Sequence, residues 1–288
     1  MASPAEHLRD RIDGHLDAFD SLEELSDARY HATHERFEAA SNQRALILDW
    51  LEDLADRMTF RPDRAARLLS VGCGGGVMDR RITRIFSEHA HTLALVGVDP
   101  NPEHTRAFRR QFAREGFDVR AFTGLFEDFG TRQTFDVIHF VHCLYYFEHI
   151  EPELRKAFGM LAPGGAMVIL QAPNEDLNHL ADRVWKKQFD QSAWYSDDVA
   201  AALARMGIEF RIHRIDAEID VTECFDPDSR AGIDILDFIV QADTAQFTDP
   251  FRASLRESLR SICRRRGRRL FCEHPVDAIV ARRSDDRA

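Results

Sequence analysis

The chain has 288 residues, a formal net charge of −11 and a hydrophobic fraction of 44%. That length can bury a full core without disulfides or metal, and the composition is that of a globular protein. No apolar run reaches the roughly 18 residues of a membrane-spanning helix, and the acidic balance argues against a nucleic-acid partner.

Three helices are predicted first. Ser3-Pro4-Ala5-Glu6 is a capping-box pattern with proline at the first helical position. Its polar surroundings lack the basic-then-apolar layout of a secretory signal, so a cytoplasmic protein is expected. Ser21-Leu22-Glu23-Glu24 offers a second helix start. From Ser41, a third segment carries Leu46, Ile47, Trp50, Leu51 and Leu54 at helical spacing, and Arg61-Pro62-Asp63 ends it.

Strands and helices then alternate. Strands are predicted at Arg67–Val71, Leu93–Val98, Val119–Phe122, Phe135–Val141 and Ala166–Gln171. Helices are predicted at Asp79–His89, Glu103–Glu115 and Pro152–Leu161. This rhythm predicts an α/β, Rossmann-like, doubly wound parallel sheet. Phe135–Val141 is mostly apolar, as a strand buried on both faces should be.

After Pro173 the rhythm breaks. Asp176–Phe189 reads as helical, Ser196 as the cap of Asp197–Met206, and Gly207 as its stop. Ile208–Ile215 alternates as a strand, Asp234–Val240 and Phe251–Arg264 read as helices, and Pro275–Arg282 alternates as a closing strand. The arginines at 252, 256, 260, 264, 265, 266, 268 and 269 fall mostly at helical spacing. They read as a solvated helix face, with a phosphate-binding stripe as the alternative. Cys73, Cys143, Cys224, Cys263 and Cys272 form no C-x-x-C pair, which suits reduced intracellular thiols. His139 and His142 sit in a strand-like segment and read as ordinary packing, so no metal is expected.

The chemistry is concentrated between the first strand and the next helix, in Ser70-Val71-Gly72-Cys73-Gly74-Gly75-Gly76. Glycines let the backbone turn sharply and let a ligand approach without meeting a Cβ. Main-chain N–H groups at the helix start can face polar ligand atoms. Alone, the loop is equally a tight turn. Asp99 ends the second strand, where a carboxylate can take both ribose hydroxyls; a helix cap ahead of Glu103 is the other reading. The spacing is G-x-G-x-G, with Val77 in place of the last glycine of a dinucleotide fingerprint, so a nicotinamide enzyme is disfavoured.

Pro163-Gly164-Gly165 before the fifth strand, with Phe135-Asp136-Val137-Ile138 on the fourth, completes a pattern over 67–171 that resembles the class I S-adenosylmethionine methyltransferases. The resemblance implies that Gly72, Gly74 and Gly76 bind the methionine part of S-adenosyl-L-methionine and Asp99 its ribose. It places His104 beside the cofactor and Val141 near the methyl group. Ser70 departs from the acidic residue often found there.

A narrower resemblance, to the histamine N-methyltransferase family, runs along most of the chain. It rests on Tyr30 and Phe37, Leu144-Tyr145-Tyr146, Trp185-Lys186-Lys187, Ser196-Asp197-Asp198, Asp237-Phe238 and Leu270-Phe271. It implies a helical cap over 1–60 that contributes to a substrate pocket. A methyltransferase domain would follow over 61–288, with a mainly helical lid inserted around 173–200 and 222–272. Tyr30, Phe37, Tyr145, Tyr146, Trp185 and Phe238 would line an aromatic substrate site, each being equally readable as core. The family's substrate-reading glutamate, glutamine and asparagine fall here on Gln43, His142 and Glu273. His142 and Glu273 are then the candidate groups to orient or deprotonate a small amine or imidazole. An O-methyltransferase of natural-product biosynthesis and a non-catalytic cofactor-binding partner subunit are the rival readings.

Overall fold

The computed structural model describes residues 4–284. These residues form two compact units. One holds Ala45–Ala172, Trp194–Ile215 and the chain from Asp277 on; the other holds the chain up to Arg44, Pro173–Ala193 and Asp216–Val276.

The first unit is built on strands β1 (Ala66–Val71), β2 (Leu93–Asp99), β3 (Asp118–Thr123), β4 (Phe135–Val141), β5 (Leu161–Gln171), β6 (Phe210–Ile215) and, near the end of the chain, β10 (Val276–Arg282). Their order is β3-β2-β1-β4-β5-β10-β6, with β1 to β5 parallel and β10 antiparallel to β5. This is the mainly parallel, doubly wound sheet expected. Every residue of β4 up to Phe140 is buried, as is most of β5, whereas β3, at the edge, alternates with solvent. Helices α3 (Gln43–Ala55), α4 (Val77–Ser87), α5 (Pro102–Arg114) and α6 (Ile150–Gly159) precede β5, and α8 (Ser196–Arg205) follows it. Ile82, Ile85 and Phe86 on α4, and Phe108 and Phe112 on α5, recur at three and four and are buried. Each such side chain stabilises by about 1.5–3 kcal/mol. Arg64 closes the lower end of the sheet, holding Asp136 of β4 through two bonds of 2.7 and 2.6 Å. The Asp136 bonds raise the hold of Arg64 on its proton, against its partial burial.

The second unit packs α1 (Pro4–Leu16), α2 (Asp27–Ala40), α7 (Asp176–Phe189), α9 (Arg230–Val240) and α10 (Asp249–Ile262) with a small sheet. That sheet has β7 (Glu218–Asp220), β8 (Arg264–Arg266) and β9 (Arg269–Glu273) in the order β7-β9-β8. Its core includes Ile12, Leu180, Val184, Ile219, Leu236, Phe251, Leu255 and Leu259. Helix α9 approaches the 3₁₀ turn Thr222–Phe225 so closely that a Cβ on Gly232 would lie 1.9 Å from the Glu223 carbonyl oxygen.

Several boundaries differ from expectation. Ser3, expected as the first cap, lies outside the described residues. The second helix starts at Ser26, whose hydroxyl accepts the Arg29 N–H, while Glu24 bridges to Ala242. The third helix stops at Ala55, before Arg61-Pro62-Asp63. Tyr195, rather than Ser196, caps α8; its N–H donates to Asp198 at 2.9 Å, and the Ser196 hydroxyl donates to Asp277 at 2.5 Å. The arginine run is not one helix face. Its second half is the β8–β9 hairpin, turned by Gly267 at φ 60° and held by Arg264–Glu273, Arg266–Glu218 and Arg269–Asp220 pairs. Helix α10 had already ended at Ile262.

Candidate active site

In a parallel sheet, ligands are met at the carboxyl ends of the strands where the strand order reverses. Here that point lies between β1 and β4. Beyond β1 the backbone turns left-handed three times, at Gly72 (φ 69°), Gly74 (φ 51°) and Gly76 (φ 82°). Side-chain-bearing residues rarely adopt these angles. The Gly72 and Cys73 N–H groups both donate to the Val98 carbonyl, at 2.8 and 3.1 Å, which ties the loop to β2. A Cβ on Gly72 would meet the Cβ of Cys143 at 2.5 Å, so the loop abuts the segment that follows β4. At Gly74 a Cβ would meet nothing within 4 Å: the backbone there faces open space. Burial pushes the flanking Cys73 and Cys143 thiols up, which disqualifies them as nucleophiles.

Asp99 organises this loop from the end of β2. Its Oδ2 accepts the Gly74 N–H at 2.9 Å, and its Oδ1 accepts the Asn101 N–H at 2.9 Å with His104 Nδ1 at 3.1 Å. Asp99 is not the cap of α5; Asn101 is, with its side-chain oxygen accepting the Glu103 N–H at 2.8 Å. A carboxylate offers about four acceptor positions, so capacity for a sugar hydroxyl is left. The open face over Gly74 and this carboxylate fit an adenosine-type cofactor.

Val141 ends β4 half-buried. His142 follows in the left-handed region at φ 49°. A histidine held there marks a sharp, constrained turn. Its N–H donates to the Leu170 carbonyl at 2.9 Å, and its Nδ1 lies 3.2 Å from the Tyr145 hydroxyl. That hydroxyl also accepts the Ala172 N–H at 3.0 Å, tying the 3₁₀ turn Leu144–Tyr146 to the end of β5. Tyr146 is 57% exposed.

Two elements of this neighbourhood went unread in the sequence. The Tyr195 ring stands 6.1 Å from that of Tyr145, and the neighbouring Trp194 donates its indole N–H to Phe147 at 2.8 Å. His139, buried on β4, meets Asp79 in the first turn of α4 at 2.9 Å. His139 and His142 therefore have different partners. Asp79 is also an acid placed after the loop whose strand carries Ser70 where an acid was expected; its spacing three residues past Gly76 was the available signal.

Six other candidate residues belong to the second unit. Tyr30, Phe37 and Phe238 come together there, with Phe238 ring centroids 5.5 Å from Tyr30 and 4.6 Å from Phe37. His34 and His274 join them, at 5.1 Å from Phe238 and 4.8 Å from Phe37. Trp185 is buried and packs on Phe189 at 4.5 Å. Gln43 is buried, and its amide donates to the His274 and Pro275 carbonyls at 2.9 and 3.4 Å. Glu273 is ion-paired with Arg264 on the neighbouring strand.

The family described as Methyltransferase domain matches residues 34–214. The chain belongs to this family and is an S-adenosylmethionine-dependent methyltransferase. Carnosine N-methyltransferase 2 of Gallus gallus is 27% identical to this methyltransferase over 242 residues, 74% of this chain and 73% of the relative. Histamine N-methyltransferase of Xenopus tropicalis is 26% identical over 212 residues, 67% of this chain and 71% of the relative. Among solved structures, the plantazolicin methyltransferase BpumL in complex with SAH superposes with a TM-score of 0.53 at 12% identity, over 96% of this chain and 98% of its own. The YcgJ protein of Bacillus subtilis gives 0.56 at 13% identity, over 83% and 98%. At those identities the likeness is one of fold.

Proposed function

We propose that this methyltransferase methylates a nitrogen of a small amine or imidazole compound. The observation that carries the reading is His142, a base locked in a left-handed turn at the end of β4, beside the cofactor loop. The names of two relatives, carnosine N-methyltransferase 2 and histamine N-methyltransferase, support the same substrate class.

S-Adenosylmethionine supplies an activated methyl group, which leaves the protein to bind, align and handle protons. Gly72, Gly74 and Gly76 hold the methionine part, and Asp99 the ribose with His104 alongside. Val141 and His142 close the reacting side. The Tyr145 hydroxyl, 3.2 Å from Nδ1, orients the His142 ring. A neutral imidazole already presents a lone pair at pH 7, whereas an amine of pKa ~10 must first lose a proton. His142 takes that proton, and the flat faces of Tyr145 and Tyr146 meet a planar or cationic acceptor, at about 0.5–2 kcal/mol per good contact.

The test is methyl transfer over a panel of imidazoles, primary amines, phenols and carboxylates. Turnover of imidazoles or amines is expected. Turnover of phenols or carboxylates alone would overturn the nitrogen assignment and leave an O-methyltransferase.

A further inference from the structure

The second unit contains a pair of cysteines that methyl transfer does not use. The hairpin register pairs Arg266 with Arg269, Arg265 with Leu270, and Arg264 with Phe271. One step further, Cys263 falls opposite Cys272, and their sulfurs stand 3.0 Å apart. The Cys263 backbone is already extended there, at φ −80° and ψ 146°, although it also ends α10.

Facing pairs in an antiparallel ladder alternate between hydrogen-bonded and non-hydrogen-bonded types. Counted from the pair that closes the two-residue turn, the cysteines form the fourth pair, of the non-hydrogen-bonded type. There the Cα atoms come within about 4.5 Å. That spacing lies inside the range of roughly 4.4–6.8 Å spanned by protein disulfides. Bond formation therefore asks for sulfur rotation and no movement of the chain.

We propose that Cys263 and Cys272 are a dithiol oxidation site, closed into a cross-strand disulfide by a small-molecule disulfide of the glutathione type. The two cysteines are chemically unequal. Cys263 is partly exposed and can be reached, whereas Cys272 is buried in the core of this unit. The hydrogen bond between the two sulfurs, with Arg260 nearby, holds the Cys263 thiol below its usual range against the effect of burial. The same contact, together with burial, pushes Cys272 up. Cys263 is thus the attacking sulfur. Its thiolate attacks one sulfur of R–S–S–R, forming a mixed disulfide and expelling one RS⁻. The Cys272 sulfur then attacks the Cys263 sulfur and expels the second RS⁻. The two thiol protons end on the two departing RSH molecules, and the two electrons of the protein dithiol reduce the added disulfide.

The experiment uses the full chain, reduced, desalted and incubated with oxidised glutathione at neutral pH. Intact mass and non-reducing peptide mass spectrometry follow. The expected result is the loss of two hydrogen atoms and a peptide joining Cys263 to Cys272. Cys272→Ser should trap one glutathione on Cys263, and Cys263→Ser should show neither cross-link nor adduct at Cys272. Thermal melting of the reduced variants establishes that they are folded, with Cys→Ala variants replacing any that is not. A different cysteine pair, a stable glutathione adduct on the wild-type chain, or closure only after addition of denaturant would overturn the proposal.

Discussion

At the scale of single residues, Asp99 and His142 do different work and should fail differently. Asp99 holds the glycine loop through Gly74 and is the residue assigned to the ribose. Asp99→Ala removes both roles. A hydrogen bond to a charged group contributes about 1.5–3 kcal/mol. S-Adenosylhomocysteine binding should therefore weaken by about 2–4 kcal/mol, roughly 30- to 1000-fold. Isothermal calorimetry measures it, and an unchanged affinity would refute the assignment. His142→Asn is the cleaner probe of chemistry, because asparagine tolerates the left-handed backbone that His142 occupies at φ 49°. Turnover of a primary amine should fall by about 10²–10⁴-fold, the usual worth of a general base. Cofactor affinity should stay within a few-fold. Equal losses in turnover and cofactor affinity would make His142 a structural residue.

At the scale of elements, glycines in helices divide into those that are needed and those that are only tolerated. Gly232 lies near the start of α9, where an added methyl would overlap the Glu223 carbonyl, and neither backbone can give way cheaply. Gly14 lies in α1 with nothing near its missing Cβ. Gly232→Ala should cost about 1–3 kcal/mol or more. Gly14→Ala should instead stabilise by about 0.5–1 kcal/mol. Urea unfolding of the pair checks both signs. Neither difference is visible in the sequence, where Gly232 lies just before the helix predicted over Asp234–Val240 and nothing marks what surrounds either glycine. The same division explains what was legible. Strands β1, β2, β4 and β5 announced themselves through largely apolar runs, because a strand buried on both faces leaves few positions for polar residues, whereas β3 lies at the edge and carries exposed residues. The short β7, β8 and β9 went unread: β8 is Arg264-Arg265-Arg266, exposed, and its arginines pair with Glu273 across the hairpin and with Glu218, distant in sequence. In the candidate site, the glycine loop and Asp99 were readable because backbone geometry dictates their residue types. The His139–Asp79 and Tyr145–Tyr195 contacts were not, since they join residues about 50 or more apart that carry no local pattern.

At the scale of the whole molecule, one unit is assembled from three separated stretches of chain, and long-range polar contacts bear on its stability. Arg29 of α2 reaches Asp234 at 2.5 Å and also Asp237, both on α9. Burial works against the Arg29 charge, but the two carboxylate bonds outweigh it and hold the proton more tightly than usual. Asp237 is fully buried, and that burial pushes its carboxyl above the ordinary range despite bonds from Thr244 and Arg29. The sign of the pH effect follows. A carboxyl that binds its proton more tightly when folded contributes most below its unfolded value of about 3.9, and that contribution is lost as pH rises through the folded value. The stability of the wild type relative to Asp237→Asn should therefore decline from pH 4 toward neutrality. Arg29→Met sharpens the effect. It leaves a buried carboxylate without its cation, which should cost about 3–5 kcal/mol at pH 7. At pH 4 the cost should shrink, because protonation of Asp237 then removes the unpaired charge. The double variant Arg29→Met/Asp237→Asn should lose less at pH 7 than the two single losses combined, since neither partner is left charged and alone. Urea unfolding across pH 4–7 measures all four chains. A loss from Arg29→Met that is the same at both pH values would mean that Arg29 acts through packing and through Asp234, and not through the charge of Asp237.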